Sequence, residues 1–152
     1  MPFKSARRIN RIAAVQCIYY YHSTSFDINK VQQDIKSLYP NQALESDHEI
    51  FTSNLQHDHF EELINNFLGN ADIIDKRISA NLKEGWTIDN LHLTLLSIIR
   101  IGIGELLYTN NTPFQVIISE FADIAGLMLQ KNEVAFVNSI MQKVHNDREL
   151  FF

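Results

Sequence analysis

Between Leu91 and Leu107, the residues Leu91, Leu95, Ile98, Ile99, Gly102, Ile103, Leu106 and Leu107 cover most of the circumference of a helix. A helix that is apolar nearly all round has no face to offer water, so this segment belongs at the centre of a helical bundle. His92, Arg100 and Glu105 interrupt the run, which makes it a core helix and not a membrane span. Gly102 and Gly104 in its interior each cost about 1 kcal/mol relative to Ala, and they point to close approach of a neighbouring helix. With only 5 Gly and 3 Pro in 152 residues, there is little turn chemistry for a many-stranded β fold.

The flanking segments repeat the helical period. An apolar pattern follows the N-terminal residues and breaks at Ser23-Thr24-Ser25. Asp27 is an N-cap for a second helix carrying Ile28, Val31, Ile35 and Leu38, which ends at Tyr39-Pro40-Asn41. Residues 41–50 are polar and aperiodic, and read as a loop. Phe51, Leu55, His59, Leu63 and Phe67 form a third stripe that starts as early as Ile50 and includes Phe60 to Leu68, with a stop at Gly69-Asn70. Ile73, Ile74, Arg77, Ile78 and Leu82 mark a fourth helix closed by Gly85. Trp86 to Asn90 is a connector, with Thr87 as N-cap of the central helix. Asn110 to Pro113 stops that helix and starts a sixth, with Thr112 as N-cap and Pro113 at the first helical position. Phe114, Ile117, Ile118, Phe121, Ile124, Ala125 and Met128 give its apolar face. A link from Gln130 to Asn132 leads to a seventh helix with Val134, Val137, Ile140, Met141 and Val144. The expectation is an all-α chain of about seven helices.

Charge is distributed unevenly. The net charge is -5, yet Lys4, Arg7, Arg8 and Arg11 all precede the first acid, Asp27, so 4 of the 13 Lys and Arg form a basic tip on an acidic body. At about 100° per residue the four lie within one arc of a helix. That arc continues into Val15, Ile18, Tyr19 and His22. Cations at a helix N-terminus oppose the macrodipole, a conflict that an external phosphate would relieve; a solvated helix start is the plainer alternative. Cys17, the single cysteine, sits in an apolar context and reads as a small buried hydrophobe in a reducing compartment. The N-terminus makes a poor signal peptide, because Gln16 and three tyrosines follow the basic residues and no small-residue cleavage site is evident.

Enzymatic readings find little support. His48, His57, Asp58, His59, Glu61 and Glu62 contain a His-x-His, but residues two apart on a helix point in different directions, and surface histidines are the simpler reading. There is no Gly-x-Ser-x-Gly and no Gly-rich phosphate loop. Arg100, in an otherwise apolar helix, needs an acidic partner, for which Glu120 is the candidate.

Three blocks, in order, resemble the NusB family of bacterial transcription antitermination proteins. They are Ala6-Arg7-Arg8 with Arg11, Ala14-Val15-Gln16 and Tyr19; Trp86 with Ile98-Ile99-Arg100 and Glu105-Leu106-Leu107; and Pro113, Val116, Ser119-Glu120, Ala122, Ile124-Ala125 with Phe136-Val137-Asn138. The resemblance runs from about Lys4 to Val144. It implies two small helical bundles packed into a single compact domain, with halves at about 1–84 and 85–147. It also implies a cytoplasmic, non-catalytic factor without cofactor or metal. Such a factor binds boxA RNA of ribosomal RNA transcripts with a ribosomal small-subunit protein called NusE, and joins the RNA polymerase antitermination complex. Carried over by position, the RNA-binding residues are Lys4, Arg7, Arg8, Arg11 and Tyr19 on the first helix, and Asn132 and Phe136 at the start of the last. For Tyr19 and Phe136 the alternative is a place in the core.

Several positions depart from the family pattern. Ile9 stands where a third consecutive arginine often occurs, Leu95 where an acid is common, Ser119 in place of Asn, and Ser139 in place of Gly. Leu95 bears on the surface that meets the protein partner. A helical protein-binding adaptor without RNA affinity remains the rival from another class. Phe151-Phe152 at the terminus is an apolar pair with no assigned role.

Overall fold

The computed structural model describes residues 7–39 and 55–148. Among these there are seven α-helices, one 3-10 turn and no strand: α1 Arg7–Ser23, α2 Ile28–Leu38, α3 His57–Leu68, α4 Ala71–Ala80, the 3-10 turn Ile88–Asn90, α5 Leu93–Tyr108, α6 Phe114–Met128 and α7 Lys131–Asn146. Lys4, the 41–50 loop, the earliest possible start of α3 and Phe151-Phe152 lie outside the described residues. Contacts divide the chain into two units, Met1–Ile64 and Asn65–Phe152. The division falls inside α3, whereas the family resemblance implies halves at about 1–84 and 85–147.

In the first unit, α1 packs on α2. α1 buries Ala13, Ala14, Val15, Cys17 and Ile18, and α2 buries Val31 and Ile35. Asp27 caps α2 as the sequence requires, its carboxylate accepting from the backbone N–H of Asn29 at 2.8 Å and of Lys30 at 3.2 Å. Lys36 of α2 forms an ion pair with Glu61 of α3. The Tyr39 hydroxyl donates to Gln16 Oε1 at 2.7 Å, and burial pushes the phenol above its ordinary pKa. Burial likewise raises the Cys17 thiol to about 12.

In the second unit α5 packs against both α6 and α7. Its residues from Leu95 to Ile99 and from Ile101 to Leu107 are buried. The two glycines explain how the neighbours come so close. A Cβ on Gly102 would stand 3.0 Å from Met141 Cε and 3.1 Å from Phe121 Cγ, and one on Gly104 would stand 3.3 Å from the backbone N of Phe67. Methionine's flexible thioether and an aromatic ring fill the space that a side chain would have taken.

Two helix starts differ from expectation. Thr87 caps the 3-10 turn and not α5, because the Asn90 side chain folds back to accept from the Thr87 N–H at 2.7 Å and closes that turn on itself. α5 starts at Leu93, three residues after Asn90, with His92 as N-cap. At α6 the N-cap is Pro113 and not Thr112, its φ of -60° and ψ of 144° leaving Phe114 as the first helical residue.

Candidate nucleic-acid interface

α1 has no acid in its first turn. Residues four and seven apart share a helical face, and Arg11, Val15 and Ile18 are so spaced. The face they share points into the fold: Arg11 is 1% exposed, Val15 2% and Ile18 0%. Arg8 is buried as well. The basic arc expected to meet solvent is therefore divided, with Arg7 half-buried and keeping access. The physical reason is continuity, since the arc that carries the arginines is the same arc that carries the core. Tyr19 is half-buried, edge-on to Tyr20 with ring centroids 5.6 Å apart.

The start of α1 is fixed by Asn10, which is 0% exposed. Its side-chain N–H groups donate to Gln56 Oε1 and to His59 Nδ1, both at 2.9 Å, and its carbonyl oxygen accepts from the Gln56 backbone N–H at 2.8 Å. With the amide donating, His59 Nδ1 is the acceptor and the ring proton sits on Nε2. This corrects the surface reading of His59, which is buried and joins α1 to the first turn of α3. Beside it, Arg7 lines an open cleft of about 520 Å³ with Gln56, His57, Asp58, His59 and Glu62. Both signs of charge line that cleft, so it offers donors and acceptors to a polar ligand.

At the start of α7, Asn132 is exposed and Phe136, one turn later on the same face, is half-buried. Glu133 anchors this turn. Its carboxylate accepts from the Gln130 backbone N–H at 3.0 Å and meets the ring of His92 at the N-cap of α5. The backbone hydrogen bond first, and the His92 contact second, hold the Glu133 carboxyl below its ordinary pKa. Phe136 forms one wall of a groove with Trp86. Helical periodicity passed over Trp86 because it belongs to no apolar stripe, and that isolation is the signal by which it could have been found.

Other charged groups have structural work. Arg100 pairs with Asp75 of α4 and not with Glu120, its Nε and Nη2 donating to the two carboxylate oxygens at 2.9 and 2.8 Å, while the guanidinium lies 5.4 Å over the Phe67 ring. A planar fork meets a carboxylate best in this two-bond geometry. Arg77 is 0% exposed and donates to the Val144 carbonyl at 3.2 Å; burial lowers its pKa. Leu95 is buried. No group of three or more His, Cys, Asp or Glu among the described residues is placed to hold a metal ion. No described helix is long and apolar enough to cross a membrane.

The sequence profile of the NusB family matches residues 8–146. The chain is 35% identical over 147 residues to the transcription antitermination protein NusB of Rickettsia bellii, covering 96% of this chain and 94% of that protein. It is 31% identical over 139 residues to the protein of the same name from Rickettsia typhi, covering 91% and 90%. Among solved structures, T. maritima NusB matches with a TM-score of 0.74 at 23% identity, over 95% of this chain and 94% of that one. A chain from the structure of antitermination factors NusB and NusE in complex with dsRNA matches with a TM-score of 0.74 at 14% identity, over 93% and 96%. At those identities the solved structures speak for the fold.

Proposed function

This chain belongs to the NusB family, and from that premise we propose that it is a transcription antitermination factor. In this role it binds boxA-type single-stranded RNA of ribosomal RNA transcripts together with the ribosomal protein acting as NusE, and joins the RNA polymerase antitermination complex. The observation that carries this is likeness over nearly the whole chain to proteins named for antitermination; a solved relative of the same fold is described with NusE and RNA. The protein acts in the cytoplasm as a binding factor without catalysis, cofactor or metal.

Among the described residues, six of the seven positions divide by what their surroundings allow. Arg7 meets phosphate, as does Lys4 by its charge alone, and such contacts supply affinity that falls with salt. Arg8 and Arg11, being buried, hold α1 in shape behind them. Tyr19 and Phe136 offer ring surface to bases, and Asn132 offers an amide to a base edge or ribose.

The test is a titration of labelled boxA-type RNA, with and without NusE, over a salt series. Phe136→Ala is expected to weaken binding about tenfold with the salt slope unchanged, since a stacked base contributes ~1–3 kcal/mol and no charge. Binding of NusE with no affinity for RNA in either condition would overturn this reading and leave the helical adaptor in its place.

A further inference from the structure

Trp86 is the only tryptophan of the chain, and it is 47% exposed. The backbone sets it there. Its N–H donates to the Lys83 carbonyl at 2.9 Å, and Gly85 between them adopts φ 87°, a conformation that residues with a Cβ rarely take. The indole is thus displayed by a closed turn within the second unit.

Facing it, α7 contributes Phe136, Ser139, Ile140 and Lys143, spaced three, four and seven residues apart and so on one side of the helix. With Asn81, Leu82 and Lys83 they enclose a groove of about 440 Å³, within the roughly 300–1,000 Å³ typical of small-ligand sites. Among the described residues, neither the Trp86 nor the Phe136 ring packs on another aromatic ring, and both residues line the groove. Lys83 and Lys143 are exposed and, among the described residues, form no ion pair. On a chain of net charge -5, two such ammonium groups at one groove make a local seat for an anion.

Rings for stacking, ammonium groups for phosphate, and an amide and a hydroxyl for polar edges are the chemistry of nucleotide recognition. An apolar peptide would engage the rings and leave both lysines without a counter-charge. We infer that this groove takes one splayed nucleotide of single-stranded RNA, its base against Trp86 and Phe136 and its flanking phosphates on Lys83 and Lys143. The inference rests on the RNA-binding reading above and adds Trp86, Lys83 and Lys143 to it.

Emission from Trp86, taken as the difference from Trp86→Phe, reports on this groove alone. Labelled boxA-type RNA is titrated into the full chain with NusE present, following RNA anisotropy and tryptophan emission together, with NusE alone as a separate titration. RNA should change the emission. Trp86→Ala should weaken binding about tenfold while Trp86→Phe retains most of it, and the double variant Lys83→Ala, Lys143→Ala should reduce the salt slope by about 1.4. If RNA binds but emission, affinity and slope stay the same in all variants, the groove assignment fails and the RNA reading stands. If no RNA binds with NusE present, both fail. An emission change caused by NusE and not by RNA would make the groove a protein seat and overturn its assignment to RNA.

Discussion

The starts of α1 and α7 carry the same proposed task with opposite constructions. At α1 the residues that look most like ligand contacts, Arg8 and Arg11, are drawn into the fold, and access is left to Arg7. At α7 the turn is locked by Glu133 on Gln130 and His92, while Asn132 and Phe136 remain outside the lock. The contrast teaches that charge is a poor guide to exposure where a basic arc runs on into a core arc.

Arg11→Ala against Arg7→Ala is the sharpest way to break that contrast. Emptying the buried Arg11 site should lower stability by about 2–4 kcal/mol, visible as a reduced denaturation midpoint. Arg7→Ala should change stability by less than about 0.5 kcal/mol and lower the RNA salt slope by about 0.7. Equal stability losses would erase the distinction between the two arginines.

Asn10→Ala comes next. It strips partners from His59 Nδ1 and the Gln56 N–H, and leaving buried polar groups unmatched should cost about 2 kcal/mol. Hydrogen exchange should locate the loosening at the joint between α1 and α3; loosening confined to α2 instead would contradict the assigned role.

The smallest effect concerns Glu133. Its folded pKa lies below the ordinary 4.5, so its stabilising contribution is complete above about pH 4.5 and is lost as pH falls through the lower folded value. Amide exchange over the first turn of α7 should quicken along that descent, and Glu133→Gln should remove the pH dependence. An acid-insensitive first turn in the unaltered protein would show that the cap is not fastened by this carboxylate.

Much of the helical order was legible from periodicity and caps. Asp27, the stop at Gly69-Asn70 and the crowded glycines of α5 follow from local chemistry, and the structure has each of them. What sequence could not supply was choice among distant partners. Arg100 needed an acid, and only the packing of α4 on α5 selects Asp75 over Glu120. The inward turn of Arg11 was closer to hand, because Val15 and Ile18 share its face. His59 stands on the apolar stripe of α3, yet its buried role was missed because its match, Asn10, is a polar residue inside a helix whose meaning appears only when the start of α3 arrives.

The buried thiol of Cys17 has a practical consequence. With its pKa pushed up to about 12 and its side chain fully enclosed, almost none of it is thiolate at neutral pH. Maleimides and mild peroxide should pass it by, so the native chain behaves as a cysteine-free background. A cysteine introduced at Asn132 would then be the one site to take a spin label or dye, with no prior substitution in the core.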